Sequence, residues 1–433
     1  MRDAFRLFFN PKGQSIRAPR RIFWTGFAVR VLYMTLAHTY RIRPAQDHFQ
    51  FGWEAGRIAR ALVTGYGYAD PFSNLWIAHT GPTAWLPPLY PLLLAAIFRV
   101  FGIFTPASAW ILFTIQSAFS AATALGVWAI AIRCFSRRTA LWAAWLWALY
   151  PAAMQYAVRW PWETTISTAL FTFALALAVQ MKGIGEEHGG KSRSLTRSWL
   201  LFGLLWGLIA LSNPTLLIFL PVCGLWVLIS TYRTRYAVRD AVLAAMVFLA
   251  CVVPWGVRNY SVFHRFIPLR GNFGAELYMG NGPASTGFLM EYLHPFQDPI
   301  QLHRYAELGE VKYVAERGAA AKAFIAAHPA HFLADVARRI WFFWAGVPSD
   351  QAWYKEAPRT LNFGFLSVAG LLGLLLALHN RVPAAGLFAW AFLLLPIPYY
   401  IVTVHARFRH PLEPLIAILG VYLFQSAQQG RSS

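Results

Sequence analysis

Charge is what this sequence has least of. Of its 433 residues only 13% are Asp, Glu, Lys or Arg, against about a quarter in soluble domains. That shortfall excludes a water-soluble globular enzyme. Acid is scarcer than base, 18 residues against 38, so the net charge is +20. Cysteine is scarce too: Cys134, Cys223 and Cys251 lie in or beside apolar runs without framework spacing, which excludes a disulfide scaffold. Strand-length alternation of apolar and polar residues is missing, and with it a porin-like barrel. What abounds is apolar: 57% of residues are hydrophobic and 16% aromatic, in long runs divided by short basic segments. Such runs are expected of helices in lipid, and the chain reads as an all-α polytopic membrane protein. In that setting the basic excess at helix ends reports topology and membrane-lipid contact, not a nucleic-acid partner.

The basic segments set the direction of each crossing. Residues 1–21 carry Arg2, Arg6, Lys12, Arg17, Arg20 and Arg21 against Asp3 alone, so the positive-inside rule makes this end cytoplasmic. No small-residue cleavage site follows, and the first helix is expected to be retained. A span over 22–40 delivers residues 41–106 to the outer side. Arg133, Arg137 and Arg138 mark a return to the inside, so an odd number of crossings separates residues 41 and 133. The run 88–103 offers too few residues for the roughly 20 a span needs, which makes it a juxtamembrane helix and 107–133 the crossing. Further spans are expected over 139–158, 164–182, 199–213, 214–231, 240–256, 361–379, 383–402 and 410–427, about ten in all. Gly203 and Gly207, one helical turn apart, suit close helix packing. Arg30, within the first span, should face the bundle or reach an interface. Two substantial regions then lie outside, 41–106 and 256–360, and they hold most of the acidic residues. Acids scarcely set orientation, so chemistry on the outer face is one reason for that asymmetry.

Several segments carry residues suited to such chemistry. Asp47-His48 opens an amphipathic stretch in which Asp47 and Gln50 have the spacing of a helix start. Asp47 reads equally as a cap and as a carboxylate placed to take a proton from a substrate hydroxyl. Trp85 and Tyr90, in Pro82–Pro91, fall where an amphipathic substrate would meet lipid, although a turn into an interfacial helix accounts for most of that segment. Glu163, in Arg159-Trp160-Pro161-Trp162-Glu163, begins a helix where a carboxylate favours the dipole, or shares an outer site with Asp47. Arg258 with Asn259, and Arg407 with Arg409, put arginines at the outer surface against the positive-inside preference. Guanidinium forks there suit a phosphate at headgroup depth, or ordinary phospholipid contact by snorkelling.

Other signals carry less. Gly185–Ser192 fits the P-loop pattern, but it bridges two membrane helices where a globular αβ core is required. His328 with His331 and His405 with His410 lack further ligands for a metal. No cofactor follows from the residues; a divalent metal is left open without a residue to indicate it.

The ordered series of motifs resembles a known family. The Asp47 loop, Gly65-Tyr66-Gly67-Tyr68 and Pro87-Pro88-Leu89-Tyr90-Pro91 are similar to the first outer loop of membrane glycosyltransferases with the GT-C fold. The nearest likeness is to the family 39 group, which includes protein O-mannosyltransferases and lipid A aminoarabinose transferases. Trp162-Glu163, Gly203–Pro214, Pro254–Tyr260 with Tyr278–Asn281, and Arg407–Pro414 resemble the same group in the same order. The resemblance implies transfer of a sugar from a polyprenyl-phosphate carrier, at the outer face of a bacterial inner membrane, to a lipid, glycan or protein acceptor. Asp47 matches the family's first-loop catalytic carboxylate and Glu163 the acid of its second outer loop. Where aminoarabinose transferases carry an acid–base pair before the first-loop proline, this chain has Trp85-Leu86. Chemistry points the same way: polyprenyl phosphate is an adequate leaving group, so a base for the hydroxyl and cations for the phosphate suffice. Asp47 would be the base of an inverting transfer, with Arg258, Arg407 and Arg409 as the cations. The competing reading is a transporter or flippase for a lipid-linked substrate. It lacks an inverted repeat and mid-span charged pairs.

Overall fold

The structure, a computed structural model, describes residues 17–42, 51–185, 195–231, 236–347 and 353–429. Among these there is no β-strand, only an isolated bridge between Ala69 and Pro82. In chain order the helices are α1 (Arg17–Leu36), α2 (Trp53–Val63), α3 (Leu89–Phe101), α4 (Pro106–Cys134), α5 (Arg137–Leu149), α6 (Pro151–Val158), α7 (Thr164–Met181), α8 (Thr196–Ser212), α9 (Leu220–Thr231) and α10 (Ala237–Phe263). They continue with α11 (Phe273–Gly280), α12 (Pro299–Leu308), α13 (Glu310–Ala327), α14 (Pro329–Ala345), α15 (Trp353–His379), α16 (Ala385–Leu394), α17 (Ile397–Ile401) and α18 (Glu413–Gln429). The protein is a multi-pass membrane protein, and five of its described helices are by length and composition able to cross a bilayer. The juxtamembrane helix expected over 88–103 is the short helix α3, 13 residues long.

The bundle is centred on α4 and α7, both mostly buried, whereas α10 presents most of its surface outward. The sequence explains the difference. α4 places Ser117, Ser120, Ala121, Ala124 and Gly126 in the interior, small residues that let backbones approach in lipid, where apolar surface alone gives no drive to pack. Thr105 caps α4, its hydroxyl accepting from Ser108 N at 3.1 Å, with Pro106 in the first turn. Gly203 and Gly207 seat α8 directly on α10: a Cβ at Gly203 would stand 2.1 Å from Ala244 O, and one at Gly207 2.7 Å from the Cys251 Cβ.

Three expected spans are divided. The 139–158 run is α5 and α6 with a break at Tyr150-Pro151, because proline cannot donate to the carbonyl four residues back. The carbonyls freed near the break are met by Arg30, which is fully buried. Its Nη1 donates to Ala148 O at 2.5 Å, its Nη2 to Trp147 O at 3.3 Å, and its Nε to Ser120 Oγ at 3.0 Å. The 214–231 run starts as a 3-10 turn, Pro214–Phe219, before α9, and 383–402 is split into α16 and α17 around Pro396. The last span, expected from 410, begins as a helix at Glu413 after the 3-10 segment Ala406–Leu412.

Outside the bundle, the two outer regions form one packed unit. Phe72 and Trp85 of the first pack against Leu302, Tyr305 and Tyr313 of the second. Glu310, at the start of α13, accepts from the Thr83 hydroxyl, from Ala84 N at 2.7 Å and from the Tyr305 hydroxyl at 2.8 Å. Burial pushes this carboxyl up, against the hydrogen bonds and Arg258, which pull it down. Trp85, expected to meet substrate and lipid, is instead fully buried in this aromatic core.

Candidate active site

Between the outer unit and the ends of the bundle helices lies a cavity of about 610 Å³. Its wall draws on the start of α2, the turn before α7, the Asn213-Pro214 turn, residues 268–276, the 291–297 turn, and the chain from α17 to Phe408. Each contributes a helix end or an irregular stretch, where backbone groups and short-range turns aim side chains inward.

The cationic end is Arg407. It sits in the 3-10 segment Ala406–Leu412, which His405 caps by accepting from Arg407 N through Nδ1 at 3.3 Å. The guanidinium carbon lies 3.9 Å from the centroid of the Trp162 ring, close enough for a strong cation–π contact. Trp162 is in turn stacked on Trp160, 4.6 Å between centroids and 15° between planes. Trp160 is held from behind: Tyr90 donates to Gln116 Oε1 at 2.8 Å, and Gln116 Nε2 donates to Trp160 O at 2.9 Å. No hydrogen bond from a described residue reaches the Arg407 guanidinium, and its Nε is buried without a partner. An arginine stacked but not hydrogen-bonded keeps its fork free for an anion. His405 lines the same wall and keeps part of its surface exposed; desolvation of the ring, then Arg407 and Arg359, push its pKa down.

Two carboxylates face this end. Glu163 lines the cavity at the start of α7. Its own backbone is already helical and its side chain caps nothing; among the described residues its carboxylate has no hydrogen bond. Glu54, in the first turn of α2, lies 3.2 Å from His294 Nε2. Phe296 N donates to His294 Nδ1 at 3.3 Å, so Nε2 carries the proton and donates to Glu54. Burial pushes the Glu54 carboxyl up, but His294 and Arg407 outweigh it and the net shift is down, so Glu54 is ionised.

The other residues singled out in the sequence fall elsewhere. Asp47 and His48 lie outside the described residues. Arg258 is not in the cavity wall: its Nη1 donates to Thr83 O and its Nη2 to Tyr68 O, both at 2.7 Å. Asn259 is buried beside it, donating to Ile267 O at 2.9 Å. Arg409 is 1% exposed, donates to Ser367 Oγ and to Phe363 O at 3.1 Å, and pairs with Glu413 at 3.4 Å. Both arginines are struts whose Nη donors go to protein acceptors, although the Arg409 Nε, like that of Arg407, is buried without a partner among the described residues. Tyr90 does line the cavity. Residues that sequence reasoning did not single out complete the wall: Glu54, His294, Arg270, Glu276 and Tyr399. Among the described residues no cluster of three His, Cys, Asp or Glu could hold a metal ion.

Residues 86–257 match the family described as dolichyl-phosphate-mannose-protein mannosyltransferase. No curated protein matches the chain in sequence. Among solved structures, the archaeal oligosaccharyltransferase AglB from Archaeoglobus fulgidus, in complex with an inhibitory peptide and a dolichol-phosphate, superposes with a TM-score of 0.52 at 14% identity, covering 95% of this chain and 51% of that one. The same enzyme tethered to an acceptor peptide gives 0.54 over 94% of this chain and 50% of that one. ArnT from Cupriavidus metallidurans bound to undecaprenyl phosphate gives 0.41 at 13% identity, over 94% of this chain and 78% of that one. The chain thus spans about half the length of the oligosaccharyltransferase it matches. The family match and the superposition on the oligosaccharyltransferase give it the GT-C fold.

Proposed function

We propose that the protein is a membrane glycosyltransferase that moves a sugar from a polyprenyl-phosphate carrier to a hydroxyl of a lipid, glycan or protein, at the outer face of a bacterial inner membrane. The observation that carries this reading is Arg407: a guanidinium laid on Trp162, with no hydrogen bond from a described residue, in one cavity with the carboxylates Glu54 and Glu163. The fold it shares with a dolichol-phosphate-bound oligosaccharyltransferase supports the lipid carrier.

In the proposed step the acceptor oxygen forms a bond to the anomeric carbon as the bond from that carbon to the phosphate oxygen breaks. The electron pair leaves with the phosphate, where Arg407 stabilises the charge as it develops. Attack opposite the leaving phosphate inverts the anomeric centre. The hydroxyl proton goes to a carboxylate of the first outer loop, for which we propose Asp47, with Glu163 placed to orient the acceptor. Partial burial of Arg407 against aromatic rings strengthens its interaction with an anion relative to one at an open surface.

The test is release of free polyprenyl phosphate from labelled polyprenyl-phosphate sugars incubated with the purified protein and a crude acceptor extract. Release by the native protein and not by Asp47→Asn is the expected result. Release by both would remove Asp47 as the base. No release by either, with the carrier bound and a range of sugars supplied, would favour a transporter of lipid-linked substrate.

A further inference from the structure

The cavity has a second polar end that the transfer step leaves unused. Arg270, Asn272 and Glu276 line it together with the ring of Phe273. Arg270 Nε donates to Trp85 O at 3.0 Å, which fixes the guanidinium plane against the first outer loop. The neighbouring Gly271 N donates to Ala84 O at 2.8 Å and docks the same stretch of chain. Arg270 Nη2 then donates to Glu276 Oε1 at 3.0 Å, and buried Asn272 donates to the same oxygen through Nδ2 at 2.9 Å. Glu276 stands in the first turn of α11, where the helix dipole favours its charge.

This leaves a specific set of groups. Among the described residues, Arg270 Nη1 and Glu276 Oε2 have no hydrogen bond, so a double donor and an acceptor are left over on the two members of one ion pair. Phe273, 58% exposed, offers a flat apolar face in the same wall. A donor beside an acceptor matches two neighbouring hydroxyls of a sugar ring, one accepting from the guanidinium and one donating to the carboxylate. The C–H face of the ring supplies apolar surface for the aromatic side chain. A phosphate would be repelled by Glu276, and a simple alkyl chain would displace water from both polar groups without replacing its hydrogen bonds.

We propose that Arg270, Glu276 and Asn272, with Phe273, form a subsite that reads a vicinal diol of a saccharide and so selects the sugar. The subsite rests on the glycosyl-transfer reading for its place in the reaction, and its ligand is either the donor's sugar or a sugar acceptor. A site that hydrogen-bonds substrate hydroxyls discriminates against an analogue lacking them, and here the ion pair that would do so is held by buried Asn272 while its own side chains stay part-exposed.

Full-length protein in nanodiscs is titrated with bare undecaprenyl phosphate, with undecaprenyl-phosphate mannose, glucose and galactose, and with the three methyl glycosides. Native protein is compared with Arg270→Lys, which keeps the charge and loses the planar fork, and with Glu276→Gln, which keeps an acceptor and loses the charge. If the subsite reads the donor, one sugar-bearing carrier binds the native protein at least tenfold more tightly than the bare carrier. Both variants then lose that gain while binding the bare carrier as before, which also shows that they are folded. If it reads an acceptor, carrier affinities are alike throughout, and one methyl glycoside binds the native protein at least tenfold better than either variant. Fork-dependent binding of a methyl glycoside by native protein that does not bind undecaprenyl phosphate would keep the subsite and remove the carrier reading. Equal affinity of native protein and both variants for every sugar would overturn the subsite.

Discussion

Two outward arginine segments look alike in the sequence and are put to opposite uses. Arg258 follows Pro254-Trp255, and Arg407 and Arg409 flank Phe408; each lies beside aromatic residues at an outer helix end. Arg258 and Arg409 engage both of their Nη groups with backbone carbonyls and with Ser367 and Glu413. Arg407, two residues before Arg409, lies on Trp162 in the cavity wall. The local backbone explains the split: in a 3-10 segment of about three residues per turn, positions two apart point to different sides. One side of Ala406–Leu412 meets the buried carboxylate of Glu413 and the other meets the cavity. An arginine at an outer helix end is therefore not evidence of anion binding until its own hydrogen bonds are accounted for.

The comparison breaks most visibly at Arg409. Arg409→Ala leaves Glu413, 3% exposed, with a neighbouring imidazole and no guanidinium. Removing one partner of a buried pair costs about 3–5 kcal/mol. Thermal unfolding in detergent should show that loss, and a variant as stable as the native protein would make Arg409 something other than a strut. Next in size is Arg407→Gln. Loss of one charge that stabilises a developing anion lowers turnover by about 10²–10³, while stability falls only by the cation–π contact with Trp162, about 0.5–2 kcal/mol, because the guanidinium donates no hydrogen bond to a described residue. A variant that lost stability in step with turnover would place Arg407 among the struts as well.

How far this was legible in the sequence depends on the range of the interaction. Apolar runs and basic breaks are local signals, and they located most bundle helices, although α10 runs to Phe263 beyond the expected 256 and α15 starts at Trp353 ahead of the expected 361. The close approach at Gly203 and Gly207 and the inward turn of Arg30 followed from lipid physics alone. The divisions at Pro151 and Pro396 had a visible cause in proline, but apolar composition on both sides concealed them. Site residues were harder. Glu413, three and four residues after His410 and Arg409, was a local sign that Arg409 is paired. The contact of Glu54 with His294 and that of Arg270 with Trp85 O join the two outer regions across long stretches of chain, and no periodicity encodes such a pairing. Asp47 and His48 lie outside the described residues, so Asp47 stays a proposal from resemblance and chemistry.

Arg258 sharpens the comparison at a smaller scale. Arg258→Ala removes two charge-assisted bonds to the carbonyls of Tyr68 and Thr83, a loss of about 1.5–3 kcal/mol. The segment between those residues should become more open to limited proteolysis, while affinity for bare undecaprenyl phosphate stays at the native value. Weakened carrier binding with unchanged proteolysis would return Arg258 to the anion site.

The smallest effect distinguishes two buried carboxyls of the outer unit. Glu54 has its pKa lowered, so its stabilising contribution is present above the ordinary value of 4.5 and is lost as pH falls. Glu310 has its pKa raised, chiefly by burial, so its contribution is full below 4.5 and is lost as pH rises through the raised value. Glu310→Gln cannot ionise and keeps an oxygen to accept from Ala84 N. Over a titration from well below to well above 4.5, Glu54→Gln should therefore fall behind the native protein as pH rises toward 4.5 and keep a constant deficit beyond it, whereas the native protein should lose stability relative to Glu310→Gln only as pH climbs above 4.5. Unfolding midpoints measured across that range for all three proteins provide the check. Parallel curves for native and Glu310→Gln would mean that Thr83, Ala84 and Tyr305 solvate the carboxylate as well as water does, and that burial costs this residue nothing.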